Sequence, residues 1–271
     1  LLWVNSPGNP TGALDDLDAA AHWGRSPEVP VFSDECYVEF TWNGPGRTIL
    51  ESGLDGVVAV HSLSKRSNLA GVRVGFYAGD AELVAYLQEI RKHVGMMVPG
   101  PAQAAAVAAL DDDEHVELQR SRYRGRLALL ASVLSEWSGE AVALPDGAFY
   151  LWIPVDDGWA YTERLARDGG ALVSPGEFYG PDGARFVRVA VVQPDERVQL
   201  VADRLAAWML MATALVALFA LLHAVQGIDT EGRYFHVLYQ LQLFGLNGAF
   251  LTGDLFNLFV FFEILLLASY G

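Results

Sequence analysis

HSLSK (61–65) carries Lys65, one of only two lysines in the 271-residue chain, the other being Lys92. Ser62 and Ser64 stand just before it, and Arg73 follows eight residues on. A primary amine can capture a carbonyl carbon, and hydroxyls beside a guanidinium can hold an anion. Two polar clusters precede this one, SPGNPTG (6–12) with Asn9 and SDECY (33–37) with Asp34 and Tyr37. Taken singly, the first is a turn signal and the second a capping acid before a loop. Lys92, in EIRKHV, has no such company and reads as a solvated helix residue.

The elements around the clusters make them one site. Each cluster follows a short apolar run: LLWV (1–4), VPVF (29–32) and VVAV (57–60) read as buried strands. ALDDLDAAAHWG and AELVAYLQEIRKHV (81–94) read as helices between or after them. Strands alternating with helices predict a mostly parallel sheet covered on both faces. Open α/β sheets place ligand contacts outside the carboxyl ends of their strands, so the three clusters converge. A long helical stretch from Glu114 to Trp137 links this layer to a second unit, in which AFYLWIPV, ALVSPG, ARFVRVAVV and the helix DERVQLVADRLAA predict a small α+β domain.

One cofactor matches this donor set. Pyridoxal 5'-phosphate needs a lysine for a Schiff base, an acid at its pyridine nitrogen, donors to its ring oxygen, and hydroxyls with a cation for its phosphate. The order N-P-T-G, S-D-E-x-Y, S-x-S-K and G-x-R-x-G resembles the class I/II, fold type I, pyridoxal-phosphate aminotransferases. SLSKRSNLAG is similar to the branch acting on succinyldiaminopimelate in lysine and cell-wall biosynthesis. The resemblance implies transamination between an amino acid and a 2-oxo acid, with Lys65 as the Schiff-base lysine and proton carrier. It further implies Asp34 at the pyridine nitrogen, Asn9 and Tyr37 on the ring oxygen, and Ser62, Ser64 and Arg73 on the phosphate. Arg188, in RFVRVA, matches the family arginine that grips the substrate carboxylate, a task suited to a guanidinium fork. The fold implied is the α/β PLP-transferase fold, and the parent enzyme is expected to be a homodimer in the cytoplasm.

Charge divides the chain in two. Residues 1–207 hold 17 basic against 29 acidic residues, a net of −12, whereas 208–271 hold Arg233 against Asp229, Glu231, Asp254 and Glu263. Without basic clusters, nucleic acid is not an expected partner. Cys36 is the single cysteine, which excludes an internal disulfide, and no Cys/His metal spacing occurs. WMLMATALVALFALLHAV (208–225), VLYQLQLFGLNGAFLTG (237–253) and LFNLFVFFEILLLASYG (255–271) predict an all-α membrane segment of about three helices. Residues 236–271 resemble the proton-conducting membrane proteins shared by multisubunit sodium/proton antiporters and respiratory complex I. That resemblance implies a proton-translocation role for Glu263, a carboxylate in mid-membrane.

The expected domains are therefore 1–113, the C-terminal part of a large PLP-binding domain; 114–207, the linking helix and small domain; and 208–271, the membrane fragment. Members of the aminotransferase family carry a long region before the N-P-T-G strand, and here the chain begins at that strand. The expectation is a truncated enzyme that binds cofactor weakly, joined to a foreign tail near Ala207–Trp208. The alternative expectation is a membrane transport subunit fragment, or a chimera with no intact function.

Overall fold

The structure is a computed structural model and describes residues 1–224 and 239–245. Four strands form the first sheet in the order β1 (Leu2–Asn5), β2 (Val31–Asp34), β3 (Val57–Ser62) and β4 (Gly75–Gly79). The first three are parallel, with Asn5 paired to Asp34 and Asp34 to Val60, and all three expected strands are present. β4 runs antiparallel to β3, so the sheet is mixed and, as expected, mostly parallel, with two of its three pairings parallel.

Helix α1 (Leu17–Arg25) connects β1 to β2. The Asp16 side chain accepts from the backbone N–H of Ala19 at 2.9 Å and caps it. Its Leu17 and Ala21 are buried against Val31, Ile49 and Val57, so the apolar stripe of the helix closes one face of the sheet. A single helical turn, α2 (Leu63–Arg66), follows β3, and Leu63 roots it in a small cluster with Val74 and Ala106. Then come α3 (Ala81–His93), α4 (Gly100–Leu110) and the long α5 (Glu114–Ser138).

The second sheet has the order β5-β7-β6, from β5 (Tyr150–Pro154), β6 (Ser174–Pro175) and β7 (Phe186–Ala190), all antiparallel. Helix α6 (Gly158–Asp168) lies between β5 and β6. The largest core is shared by the two halves: Tyr37 and Phe40 from the first pack with Tyr123, Leu127 and Leu134 of α5 and with Phe149 and Leu151. Phe149 is the hub, with ring centroids 4.6 Å from Tyr123 and 5.3 Å from both Tyr37 and Phe40. Removing each such side chain from water stabilises the fold by about 1.5–3 kcal/mol, so the segment that carries Tyr37 is fixed by the second half of the chain.

The last helix, α7 (Asp195–Ala224), differs from expectation. A closing helix ending at Ala207 and a separate span beginning at Trp208 were expected, yet α7 runs through that boundary unbroken. No Gly or Pro interrupts residues 195–224, so nothing there breaks the backbone ladder. Val198, Ala202 and Leu205 are buried, and beyond them Met211, Leu215, Val216 and Phe219 are exposed. Among the described residues α7 is the one helix long and apolar enough to cross a membrane; of the other two expected spans, 255–271 and most of 237–253 lie outside the described residues. Residues 239–245 are helical, and Glu263 lies outside the described residues.

Candidate functional site

The carboxyl ends of β1, β2 and β3 lie side by side, and each releases one polar cluster. After β1 the chain turns tightly, with Gly8 N–H donating to Ala13 O and Gly12 N–H to Gly8 O, both at 2.8 Å. Gly12 sits at φ 71°, and a Cβ there would come within 2.5 Å of Gly147 O. Only glycine satisfies both the left-handed backbone and the close approach. Gly147 N–H donates back to Gly12 O at 2.8 Å, which docks the turn against the lead-in to β5. This docking carries Asn9 to Arg188: a guanidinium N–H of Arg188 donates to Asn9 Oδ1 at 2.7 Å across 179 residues.

After β2, Asp34 Oδ1 accepts from the backbone N–H of Cys36 at 3.1 Å and bends the chain toward Tyr37. The Tyr37 and Tyr150 hydroxyls are 2.6 Å apart. Burial pushes both phenols above their ordinary range, and for Tyr37 the hydrogen bond adds to it, so both stay protonated near neutrality and can donate. Burial, then the neighbouring Asp34, pushes the Cys36 thiol up to about 12, against the opposing Lys65 cation. The thiol is therefore no nucleophile.

Lys65 belongs to α2, the single turn that follows β3. The Ser62 hydroxyl accepts from Ser64 N–H at 3.1 Å and starts the turn, leaving the Ser62 O–H free to donate. Among the described residues no carboxylate forms an ion pair with the Lys65 ammonium. Arg73 is placed differently from the expected phosphate set. It is exposed in the left-handed region at φ 59°, and its guanidinium donates to Ala70 O at 3.0 Å. It lines a cavity of about 650 Å³ with His61, Phe76 and Arg91, on the β4 side of the sheet.

The structure adds three residues that sequence reasoning missed, Tyr150, Tyr179 and Glu35. Arg188 is held between two rings, its Cζ 4.2 Å from the Tyr150 centroid and 4.8 Å from that of Tyr179. Its Nε is buried and unpartnered. Spacing alone gives no signal for a cage built from GAFY and GEFYG. Glu35, fully buried next to Asp34, accepts from Ile49 N–H at 2.7 Å and lies 3.3 Å from His61 Nε2. Burial raises its carboxyl, but the facing His61 and the Ile49 N–H help to outweigh this and hold it below the usual range.

These side chains suit pyridoxal phosphate as a donor set: one amine, a strand-end carboxylate, a protonated phenol and two serine hydroxyls at successive strand ends. The Arg188 guanidinium, bonded to Asn9 Oδ1, brings a cation beside them. Arg73 donates to Ala70 O.

Residues 1–205 match the family described as Aminotransferase class I and II. The chain is 46% identical over 213 residues to the protein named "Probable aminotransferase Rv1178" of Mycobacterium tuberculosis, covering 76% of this chain and 51% of that protein. It is 44% identical to the 4-dedimethylamino-4-oxo-anhydrotetracycline transaminase OxyQ of Streptomyces rimosus, covering 76% and 59%, and 33% identical to the LL-diaminopimelate aminotransferase of Aquifex aeolicus, covering 76% and 55%. Among solved structures, an aminotransferase from Neisseria meningitidis superposes with a TM-score of 0.67 at 31% identity, covering 76% of this chain and 56% of that one. The chain thus spans about half the length of the curated relatives it matches. Sequence and fold agree over the stretch that holds every strand end described above, and the chain belongs to the class I and II aminotransferases, a family that uses pyridoxal 5'-phosphate.

Proposed function

We propose that the site transfers an amino group between an amino acid and a 2-oxo acid. The observation that carries this reading is the convergence of Asn9, Asp34, Tyr37 and Lys65 at three adjacent strand ends, with Arg188 brought to Asn9 from the second sheet. When bound, pyridoxal phosphate supplies an electron-withdrawing ring that stabilises negative charge at the substrate Cα. Lys65 would hold the cofactor, and its amine would carry the proton to and from Cα. Asp34 keeps the pyridine nitrogen protonated, while Tyr37 and the Asn9 amide donate to the ring oxygen. Ser62, Ser64 and Arg73 would hold the phosphate. Arg188, oriented by Asn9 and its two tyrosines, receives the substrate carboxylate.

Diaminopimelate-type substrates are the proposed class, supported by the SLSKRSNLAG segment and by relatives named LL-diaminopimelate aminotransferase. A homodimer acting in the cytoplasm is proposed for the aminotransferase portion. A second proposal concerns residues 208–271, which we assign to a membrane on the exposed apolar surface of α7; the antiporter-like role of Glu263 belongs to that proposal.

The test is spectroscopic titration with pyridoxal phosphate, then incubation with amino donors and 2-oxo acids. The expected result is a lysine-bound absorbance that disappears on adding donor and returns with acceptor. An unchanged absorbance with every donor would overturn the reading.

A further inference from the structure

Arg66 follows Lys65 directly, yet its side chain turns inward and is only 8% exposed. It donates to Ala109 O at 2.7 Å, to Asp113 Oδ1 at 2.5 Å and to Ser67 Oγ at 3.3 Å, and its Nε lies 3.3 Å from Glu39 Oε1. Glu39 is in the turn just after Tyr37. The backbone of that turn is held by a second arginine: Arg120 of α5 donates to Glu39 O at 2.9 Å and to Thr41 O at 2.6 Å. Asp113 immediately precedes α5. The contacts therefore close a ring from the Lys65 turn through Arg66, Glu39, Arg120 and α5 to Asp113 and back to Arg66.

We infer that this arginine bracket is a positioning device which locks the Lys65 turn and the Tyr37 turn into one register. The physical ground is that a four-residue helix cannot hold itself, because a single turn fixes several dihedral angles for one hydrogen bond. Leu63 anchors α2 against Val74 and Ala106, and the charged fork of Arg66 ties it to Glu39 and Asp113. The guanidinium meets Glu39, Asp113 and Ala109 O from three separate nitrogens, a spread that a lysine's single nitrogen does not have. Burial raises the Glu39 carboxyl, so its ionised form depends on the facing Arg66. The consequence for cofactor binding rests on the proposed function; the locking of the two turns does not.

Amide hydrogen exchange and pyridoxal phosphate affinity, measured on the full chain, test the bracket. Arg66→Met is expected to speed exchange in both 37–41 and 63–69 while leaving β1 and β2 unchanged, and to weaken cofactor affinity about tenfold. Arg66→Lys recovers only part of this, and Asp113→Asn, at the exposed end of the ring, changes little. Glu39→Gln gives the same paired exchange pattern if the methionine variant fails to fold. Unchanged exchange in 37–41, or a uniform rise across all strands, would overturn the inference. If the unaltered chain binds no cofactor yet the two segments still respond together, the bracket holds and the functional reading alone fails.

Discussion

Replacing Arg188 with lysine keeps the positive charge and removes the geometry around it. The guanidinium lies 4.2 Å from the Tyr150 centroid and 4.8 Å from the Tyr179 centroid, and reaches Asn9 Oδ1 at 2.7 Å. An ammonium can occupy one of these positions. Losing one ring contact costs about 0.5–1 kcal/mol at a half-buried site, and losing one charged hydrogen bond of the carboxylate fork costs about 1.5–3 kcal/mol. The sum, about 3 kcal/mol, lowers kcat/KM roughly 150-fold. Because the carboxylate is gripped equally in ground and transition states, most of the loss belongs in KM. Steady-state transamination with cofactor saturating measures it, and an amine donor lacking the carboxylate supplies the internal control, with little expected change. A kcat/KM within about threefold of the parent for carboxylate substrates, or an equal loss for the amine, would refute the placement of Arg188.

Gly12→Ala sets a Cβ against Gly147 O in a left-handed backbone, so urea denaturation is expected to show a loss of about 1–3 kcal/mol; an unchanged midpoint would contradict the docking of the Asn9 turn. Glu35→Gln is expected to destabilise at neutral pH by about 1–3 kcal/mol. The folded carboxyl of Glu35 is held below its ordinary 4.5, so the stabilisation is fully present above that value and fades as pH falls through the lowered one. Denaturation at pH 7 and near pH 3 should therefore show the gap between parent and variant closing in acid, and a constant gap counts against the assignment. The full chain is expected to sediment with lipid vesicles through α7 and to resist carbonate extraction; recovery in the soluble fraction argues against a membrane segment.

The parts of the fold that were legible in sequence are those with strong local patterns. β1, β2 and β3 are unbroken apolar runs between turns, and α3 and α5 carry clear helical periodicity. β4 was missed because GFYAG holds two glycines and little alternation. α4 was missed because its Ala-rich sequence has no polar face to mark a period. α2, a single four-residue turn, is too short to show one. At the site, the strand-end clusters were readable because topology forces the ends of parallel strands together. The Tyr150–Arg188–Tyr179 cage and the Arg66 ring were not readable, since they join residues from different elements through side-chain reach. Arg73 shows the reverse limit: its motif position was legible, but its side chain turns to Ala70 O.

The central claim is that Lys65 holds the cofactor. Borohydride reduction of the full chain in the presence of pyridoxal phosphate, followed by peptide mapping, tests it directly. The expected result is one modified peptide containing Lys65, with no label in a Lys65→Ala variant. Label on Lys92 alone, or label that survives the substitution at equal stoichiometry, would contradict the account.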